Sequence, residues 1–424
     1  MERYVYDALP PGPNNIRLIR LLPGANEEDI KCEVFTYTLR LDRVSALYEA
    51  LSYCWGNSED CQRINIKNVC DVGYHYLDVT INLYTALKRL RDPDLERILW
   101  IDAIAIDQNN LEERAFQVSF MDKIFGHAAY VNVWLGEEED SGEVFDSILY
   151  AAEENSIHPD VLNSETGVDR LKPLFCGFLE RPWFHRIWIL QEVAAARFIS
   201  ILCGKREATG AAFVAGIRSL ADRLELKNLE SLLTVHSVLR LMTKDQRLGT
   251  GSQDRKGVRS LGSKSSLQLL PIAELLDMFC AHAATDRRDK VYALMGLSND
   301  LEDSNIRVDY TKTWSTLFAQ TIRHVVGPLP TIHTWDHHEQ AVIIGRGCPI
   351  GVIRLDNDDR DFMTIHSPVF RGIRGQVNSW TSRCSIPHQS KVRNGDILCS
   401  MEGSRNLSII RLCDDHFDVV VLAA

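Results

Sequence analysis

The sequence predicts an α/β protein in which a parallel sheet flanked by helices is followed by a helical region and a small carboxyl-terminal antiparallel β domain. Three observations carry this expectation. Leu99–Ile106 is an apolar run interrupted only by Asp102, and Tyr130–Leu135 is another, both of a length and β-branched content that suit strands buried on two faces. The residues between them read as a helix: Asn109 or Asn110 can cap it, Glu112 and Glu113 sit where the helix dipole favours acid, and Phe116, Val118, Phe120, Met121 and Ile124 recur at helical spacing. Beyond Ala341 the texture changes to short apolar strands separated by turns, among them GDILCS, LSIIRL and FDVVVL. Strand, helix and strand form a right-handed crossover, and ligands of such sheets sit at the carboxyl ends of the strands, which directs attention to the loop Asp107–Asn110.

The elements follow in order. Ile16–Leu22 and Ile30–Leu41 alternate apolar and polar residues around a PGANEED turn, the pattern of a β-hairpin with one wet face. Tyr48–Gly56 (YEALSYCWG) reads as a buried strand stopped by glycine, and Arg63–Ile66 as a short strand. Asp78 or Thr80 can cap a helix that presents Leu83, Leu87 and Leu90 on one face and ends at RDPD. Further helices are expected over 142–152 and 168–179, from Trp188, over most of 211–242, over 269–281 and 290–297, and from Thr313 to a Gly-Pro stop. Residues 243–266, rich in Gly, Ser, Lys and Arg with few apolar anchors, read as a loop or linker. The resulting division is an amino-terminal hairpin extension (1–45), an α/β domain (46–204), a helical region (205–330) and a β-rich domain (331–424).

At 424 residues the chain exceeds one ordinary core, and 45% hydrophobic with 25% charged residues is the composition of a folded domain. A net charge of −11 gives no global reason to expect nucleic acid. No apolar run reaches membrane-spanning length, and MERYVYDALPPGPNN has no signal-peptide core, so a cytoplasmic protein without a membrane span is expected. The 11 cysteines lie singly, with no Cys-x-x-Cys pair and no neighbouring Cys/His cluster, so no metal site is expected. Most read as small buried hydrophobes of a reducing compartment.

Three blocks stand in sequence: YEALSYCWG at 48–56, LWIDAIAIDQNNLEERAFQVSFMDKIFGHAAYVNVWLG at 99–136, and RPWFHRIWILQEVAAAR at 181–197. Their wording, order and spacing resemble the fungal heterokaryon-incompatibility (HET) domain, a resemblance covering roughly residues 48–200, with TDRRDKVYALMGL, VDYTKTW and NGDILCSMEG resembling the tail that often follows it. It implies a cytoplasmic effector or signalling protein of non-self recognition between fused fungal cells and of the regulated cell death that follows; the partners to expect are a protein that triggers signalling and, for a self-assembling module, further copies of the chain. The order of elements also resembles that of Toll/interleukin-1-receptor (TIR) domains, some of which cleave NAD with a glutamate in a Trp-x-x-x-Glu position. Here that position is Trp188 and Glu192, so the resemblance implies Glu192 as the catalytic carboxylate and NAD as a substrate, with no cofactor required.

The chemistry is consistent with such a role. Breaking the bond between nicotinamide and ribose builds positive charge on the sugar, which a nearby carboxylate stabilises without a metal. Tyr53 and Trp55 offer stacking surface, Gly56 the close approach of backbone to a pyrophosphate, and Asp102 or Asp107 a polar contact. The chain has neither a Gly-rich dinucleotide fingerprint nor a P-loop. Structural alternatives stand beside each residue. Glu192 also suits a pairing with Arg181, Arg186 or Arg197, and Trp55, Trp134, Trp183 and Trp188 suit core or seam anchors. Cys54, in a strand, suits inert packing. Two classes of function therefore remain open beside the NAD-cleaving effector: a non-catalytic self-assembling signalling module, and a protein of secondary metabolism that reuses the fold. The NAD reading requires that the loops after separate strands meet on one rim and leave an acid there facing solvent.

Overall fold

A computed structural model describes the chain outside residues 13, 26, 43–46, 139–141, 160–166, 227–229, 244–269, 302–303, 356–361, 367–369, 372–376, 379–380, 386–391, 405 and 422–424. It divides into two compact units, Met1–Leu267 and Gln268–Ala424. The first unit contains β1 (Asn15–Leu21), β2 (Lys31–Thr38), β3 (Glu49–Tyr53), β4 (Cys61–Asn68), β5 (His75–Thr80), α1 (Ile81–Leu90), β6 (Arg97–Trp100), α2 (Asp102–Ala105), α3 (Leu111–Val118), α4 (Met121–His127) and β7 (Val131–Trp134). It continues with α5 (Gly142–Glu154), α6 (Gly167–Leu179), a 3-10 turn at Pro182–His185, α7 (Trp188–Ala195), β8 (Ile199–Cys203), β9 (Arg206–Thr209), α8 (Gly210–Arg223) and α9 (Glu230–Met242).

The nine strands form one sheet in the order β5-β4-β2-β1-β6-β3-β7-β8-β9. This corrects the expected parallel sheet: β6-β3-β7-β8 is parallel, but β1 joins both β2 and β6 antiparallel, so the sheet is mixed. The reason is the amino-terminal hairpin. Its Asn15–Leu21 arm adds beside β6 and becomes a central strand, buried along nearly its whole length, rather than one with a wet face. Central placement also buries Arg17 at 3% exposure, where it donates to Ala105 O and Asp7 O and forks onto the Glu113 carboxylate.

Elements differ from expectation in several places: His75–Thr80, ending at the expected cap, and Arg206–Thr209 are strands, and two differences bear on the site. The run Leu99–Ile106 is a strand only to Trp100; Asp102 then accepts from Ala103 N (2.8 Å), and Ile104 and Ala105 donate back to Ile101 O in a helical turn. Buried apolar residues serve such a turn as well as a strand, so periodicity cannot separate the two. The single helix expected between the strands is broken at Ser119–Phe120 into α3 and α4, and Phe116, 40% exposed, stacks on Phe120 instead of entering the core. Asn110 and Thr80 cap α3 and α1, accepting from Glu113 N and Leu83 N.

The second unit holds α10 (Ile272–Phe279), α11 (Asp289–Met295), α12 (Trp314–Val326), β10 (Thr331–Thr334), β11 (Ala341–Ile344), β12 (Gly347–Leu355), β13 (Phe362–His366), β14 (Phe370–Arg371), β15 (Val377–Asn378), β16 (Thr381–Ser385), β17 (Ile397–Met401), β18 (Leu407–Leu412) and β19 (Phe417–Val421). As expected from the turn-punctuated sequence, this end is an antiparallel sheet, six strands in the order β16-β13-β12-β17-β18-β19, with Ile353, Met363, Ile365, Leu398 and Ile409 in its core. The linker read at 243–266 lies, after Thr243, outside the described residues. Among the described residues no helix is long and apolar enough to cross a membrane.

Candidate functional site

The neighbouring parallel strands β6, β3 and β7 deliver three segments to one edge of the sheet: the Asp102 turn, Tyr53–Asn57 and Leu135–Glu137. Two devices lock them. Gly56 turns the chain at a φ of +78°, a conformation open to glycine but strained for other residues. Asn82, in the first turn of α1, donates to Cys54 O (2.6 Å) and accepts from Trp134 Nε1 (2.9 Å), so one amide fixes the exits of β3 and β7 together.

A network of buried polar groups is assembled against this edge. Ser52 in β3 donates from its hydroxyl to Oε2 of Glu192 in α7, and itself accepts from Trp183 Nε1 at 2.9 Å. Asp102 Oδ2 accepts from Trp55 Nε1 at 2.8 Å, the Tyr53 phenol approaches the same carboxylate, and Arg186 donates to Tyr53 O. The Arg186 guanidinium thus acts on two carboxylates at once, Asp102 and Glu192. One cation cannot balance both the buried Glu192 and the half-buried Asp102 beside it. Burial raises the Glu192 carboxyl to about 7 against its ordinary 4.5, with Asp102 adding to the rise and Arg186 and Ser52 only partly offsetting it. Burial also pushes Asp102 up, opposed by Arg186 and by its hydrogen bonds. The site therefore holds an exchangeable proton near neutral pH, the property a general acid or base requires.

Beside the network lies a cleft of about 640 Å³, lined by Gly56, Asn57, Asn82, Gly136, Glu137 and Arg181 among others. Arg181 is committed to the backbone there, donating to Leu135 O and Glu137 O.

The residues singled out in the sequence distribute as follows. Tyr53, Trp55, Asp102 and Glu192 come together in the network, and Gly56 lies one residue on, in the cleft wall. Asp107 belongs to another arrangement: its carboxylate accepts from Asn109 N, and its own N–H donates to Glu113, the partner of Arg17. Trp188 opens α7 one turn before Glu192 and is half-buried. Two expectations are corrected. Glu192 is 2% exposed and does not face solvent; its carboxylate is held in the interior by Ser52, which Trp183 holds in turn. Tyr53, also at 2%, offers no ring face to a ligand, whereas Trp55, 40% exposed, does. Of the three arginines considered for Glu192, Arg186 is the one whose charge reaches it. Ser52 was missed altogether; it lies 140 residues from Glu192, and no local spacing reports such a pair.

A pH dependence follows. The folded chain keeps the Glu192 proton up to about 7, whereas an ordinary glutamate in the unfolded chain releases it near 4.5. Between these values the folded state binds more protons, so the Glu192 contribution to stability is full below the unfolded value and is lost as pH rises through the folded one. Glu192→Gln, which keeps an acceptor for Ser52, is expected to flatten that fall by a few kcal/mol. Urea midpoints at about pH 5 and about pH 8 measure it, and an equal drop in the variant would show Glu192 ionised in the folded protein.

Comparison with known proteins defines the class. Residues 48–192 match the model of the heterokaryon incompatibility protein (HET) family; the match begins at Tyr48 and closes on Glu192, enclosing the whole network. The chain is also similar to heterokaryon incompatibility protein 6, OR allele, of Neurospora crassa, at 29% identity over 371 residues, covering 76% of this chain and 54% of that protein. It thus spans about half the length of this curated relative. No solved structure matches the chain.

Proposed function

We propose that this protein acts in fungal heterokaryon incompatibility, as an effector that answers non-self recognition with regulated cell death. The observation that carries this reading is the HET-family match at 48–192, with the Asp102–Arg186–Glu192 network wholly inside it. Expressed in a fungal host from an inducible promoter, the chain is expected to arrest growth and kill cells, and Glu192→Gln, present at equal level, to be at least tenfold less lethal in colony counts. Equal killing by both would separate the network from the activity.

The chemistry best suited to this site is NAD cleavage in the manner of TIR domains. Water adds to the ribose carbon as its bond to nicotinamide breaks; the bond pair leaves with the ring, which departs neutral, and ADP-ribose and a proton are the other products. The supporting observation is a cleft at the carboxyl edge of parallel strands whose 640 Å³ falls in the small-molecule range of roughly 300–1,000 Å³. Neither Trp55 nor Glu192 lines the cleft itself; Trp55, next to Gly56 of its wall and 40% exposed, offers a stacking face, and Glu192 a carboxyl poised near neutral pH. Since Glu192 is held in the interior by Ser52, it reaches substrate in this reading once ligand entry, self-assembly or a triggering partner opens the network.

Purified protein incubated with NAD is expected to release nicotinamide, and Glu192→Gln to reduce the rate by roughly 100-fold or more. Release unaffected by the substitution removes Glu192 from the mechanism. Concentration-dependent oligomers with no turnover favour the self-assembling signalling module.

A further inference from the structure

The second unit carries a cluster that the reading above does not use. The β18–β19 hairpin pairs Arg411 with Asp418 and Leu412 with Phe417, and Cys413 N–H donates to His416 O at 2.9 Å, closing the turn over Asp414 and Asp415. Cys413 and His416 flank this turn, and Asp418 lies two residues beyond His416, so strand alternation brings all three to one face of the hairpin. Their ligand atoms all lie within 4.8 Å of one another, with Cys413 Sγ 3.4 Å from Asp418 Oδ2 and His416 Nε2 3.4 Å from Asp418 Oδ1.

We propose that this hairpin binds a divalent transition-metal ion of the zinc type through Cys413 Sγ, His416 Nε2 and an Asp418 oxygen. The donor set, the spacing and a supporting carboxylate point to it. The donor set combines thiolate, imidazole and carboxylate, the mixture that zinc and its neighbours accept. Bonds of about 2.0–2.3 Å in a tetrahedron place ligand atoms about 3.3–3.8 Å apart; the two 3.4 Å spacings, one to each Asp418 oxygen, fall in that range, and Cys413 and His416, within 4.8 Å of each other, close on an ion by side-chain rotation. Asp415 Oδ1 lies 2.7 Å from His416 Nδ1, where it can accept from that nitrogen when an ion takes Nε2, the carboxylate–histidine arrangement that orients metal ligands. Arg411, the cation of the same hairpin, is engaged by Asp396 through two hydrogen bonds of 2.8 and 2.9 Å. Three protein ligands on an exposed turn leave the fourth position to water. The expectation that no cysteine neighbours a histidine is corrected here: Cys413 and His416 are three apart, in a spacing (Cys-x-x-His) that a search for cysteine pairs passes over.

The test is a Co2+ titration of the full, reduced chain, read by its visible spectrum. One equivalent is expected to give a thiolate-to-cobalt charge-transfer band with the d–d bands of a tetrahedral site, both bleached by Zn2+. Cys413→Ser is expected to abolish the charge-transfer band, His416→Ala to weaken Zn2+ binding at least tenfold, and Asp415→Asn, a positioning change, to weaken it roughly tenfold. Cys348→Ser, at an exposed cysteine outside the cluster, is expected to leave the spectrum as it was. Circular dichroism controls for folding. An unchanged band in Cys413→Ser, or no saturable Co2+ or Zn2+ binding at micromolar concentration, overturns the proposal.

Discussion

Glu113→Ala is expected to destabilise the first unit by roughly 3–5 kcal/mol, because it strands a buried guanidinium. Arg17 sits in a central strand at 3% exposure, and its charge is met by the two oxygens of Glu113, one of them at 3.0 Å; its other donors reach only the carbonyls of Ala105 and Asp7. The same carboxylate accepts from Asp107 N–H at 2.8 Å, so its loss also frees the loop that joins α2 to α3. Urea denaturation measures the effect as a lower midpoint at unchanged slope. The double variant Arg17→Met, Glu113→Leu is expected to recover most of the loss, since breaking a buried pair costs far more than replacing it by apolar groups. A single-variant loss below about 1 kcal/mol would mean that water reaches Arg17 and screens it.

Gly216→Val is expected to cost about 3 kcal/mol, lowering the melting temperature by roughly 6–12 °C. Gly216 lies in α8 where that helix crosses α5, and a Cβ there would stand 2.0 Å from Ile148 O. The obstacle is backbone, which cannot rotate aside, so the two helices would have to separate. Gly177 in α6 makes the control: nothing lies within 4 Å of its Cβ position, and Gly177→Ala should raise stability by about 0.5–1 kcal/mol through helix propensity alone. Comparable melting of Gly216→Val and the parent protein would show that α5 and α8 are not closely packed in solution.

Much of the fold is legible in the chain because its signals are local. The caps Thr80, Asn110 and Thr313, the stop after Val326, and the alternation that makes β18 and β19 a hairpin all follow from neighbours within a few residues. The same holds for part of the site. Tyr53, Trp55 and Gly56 stand out as the end of a buried strand, and Glu192 as the acid one helical turn after Trp188. Boundaries failed where one composition serves two structures: an apolar run such as Leu99–Ile106 satisfies a strand and a buried helical turn equally.

By itself the sequence determined most of the elements and their order, the HET-type blocks and the residues able to carry chemistry, since each rests on propensity, capping or periodicity over a few positions; the short strands His75–Thr80 and Arg206–Thr209 escaped it. Only the tertiary structure decided that β1 enters the middle of the sheet and makes it mixed, that Ser52 holds Glu192, and that one arginine faces two acids. Those outcomes depend on which distant segments share a low-dielectric interior. Burial and charge pairing between residues 140 positions apart are properties of the packed chain and of no window along it.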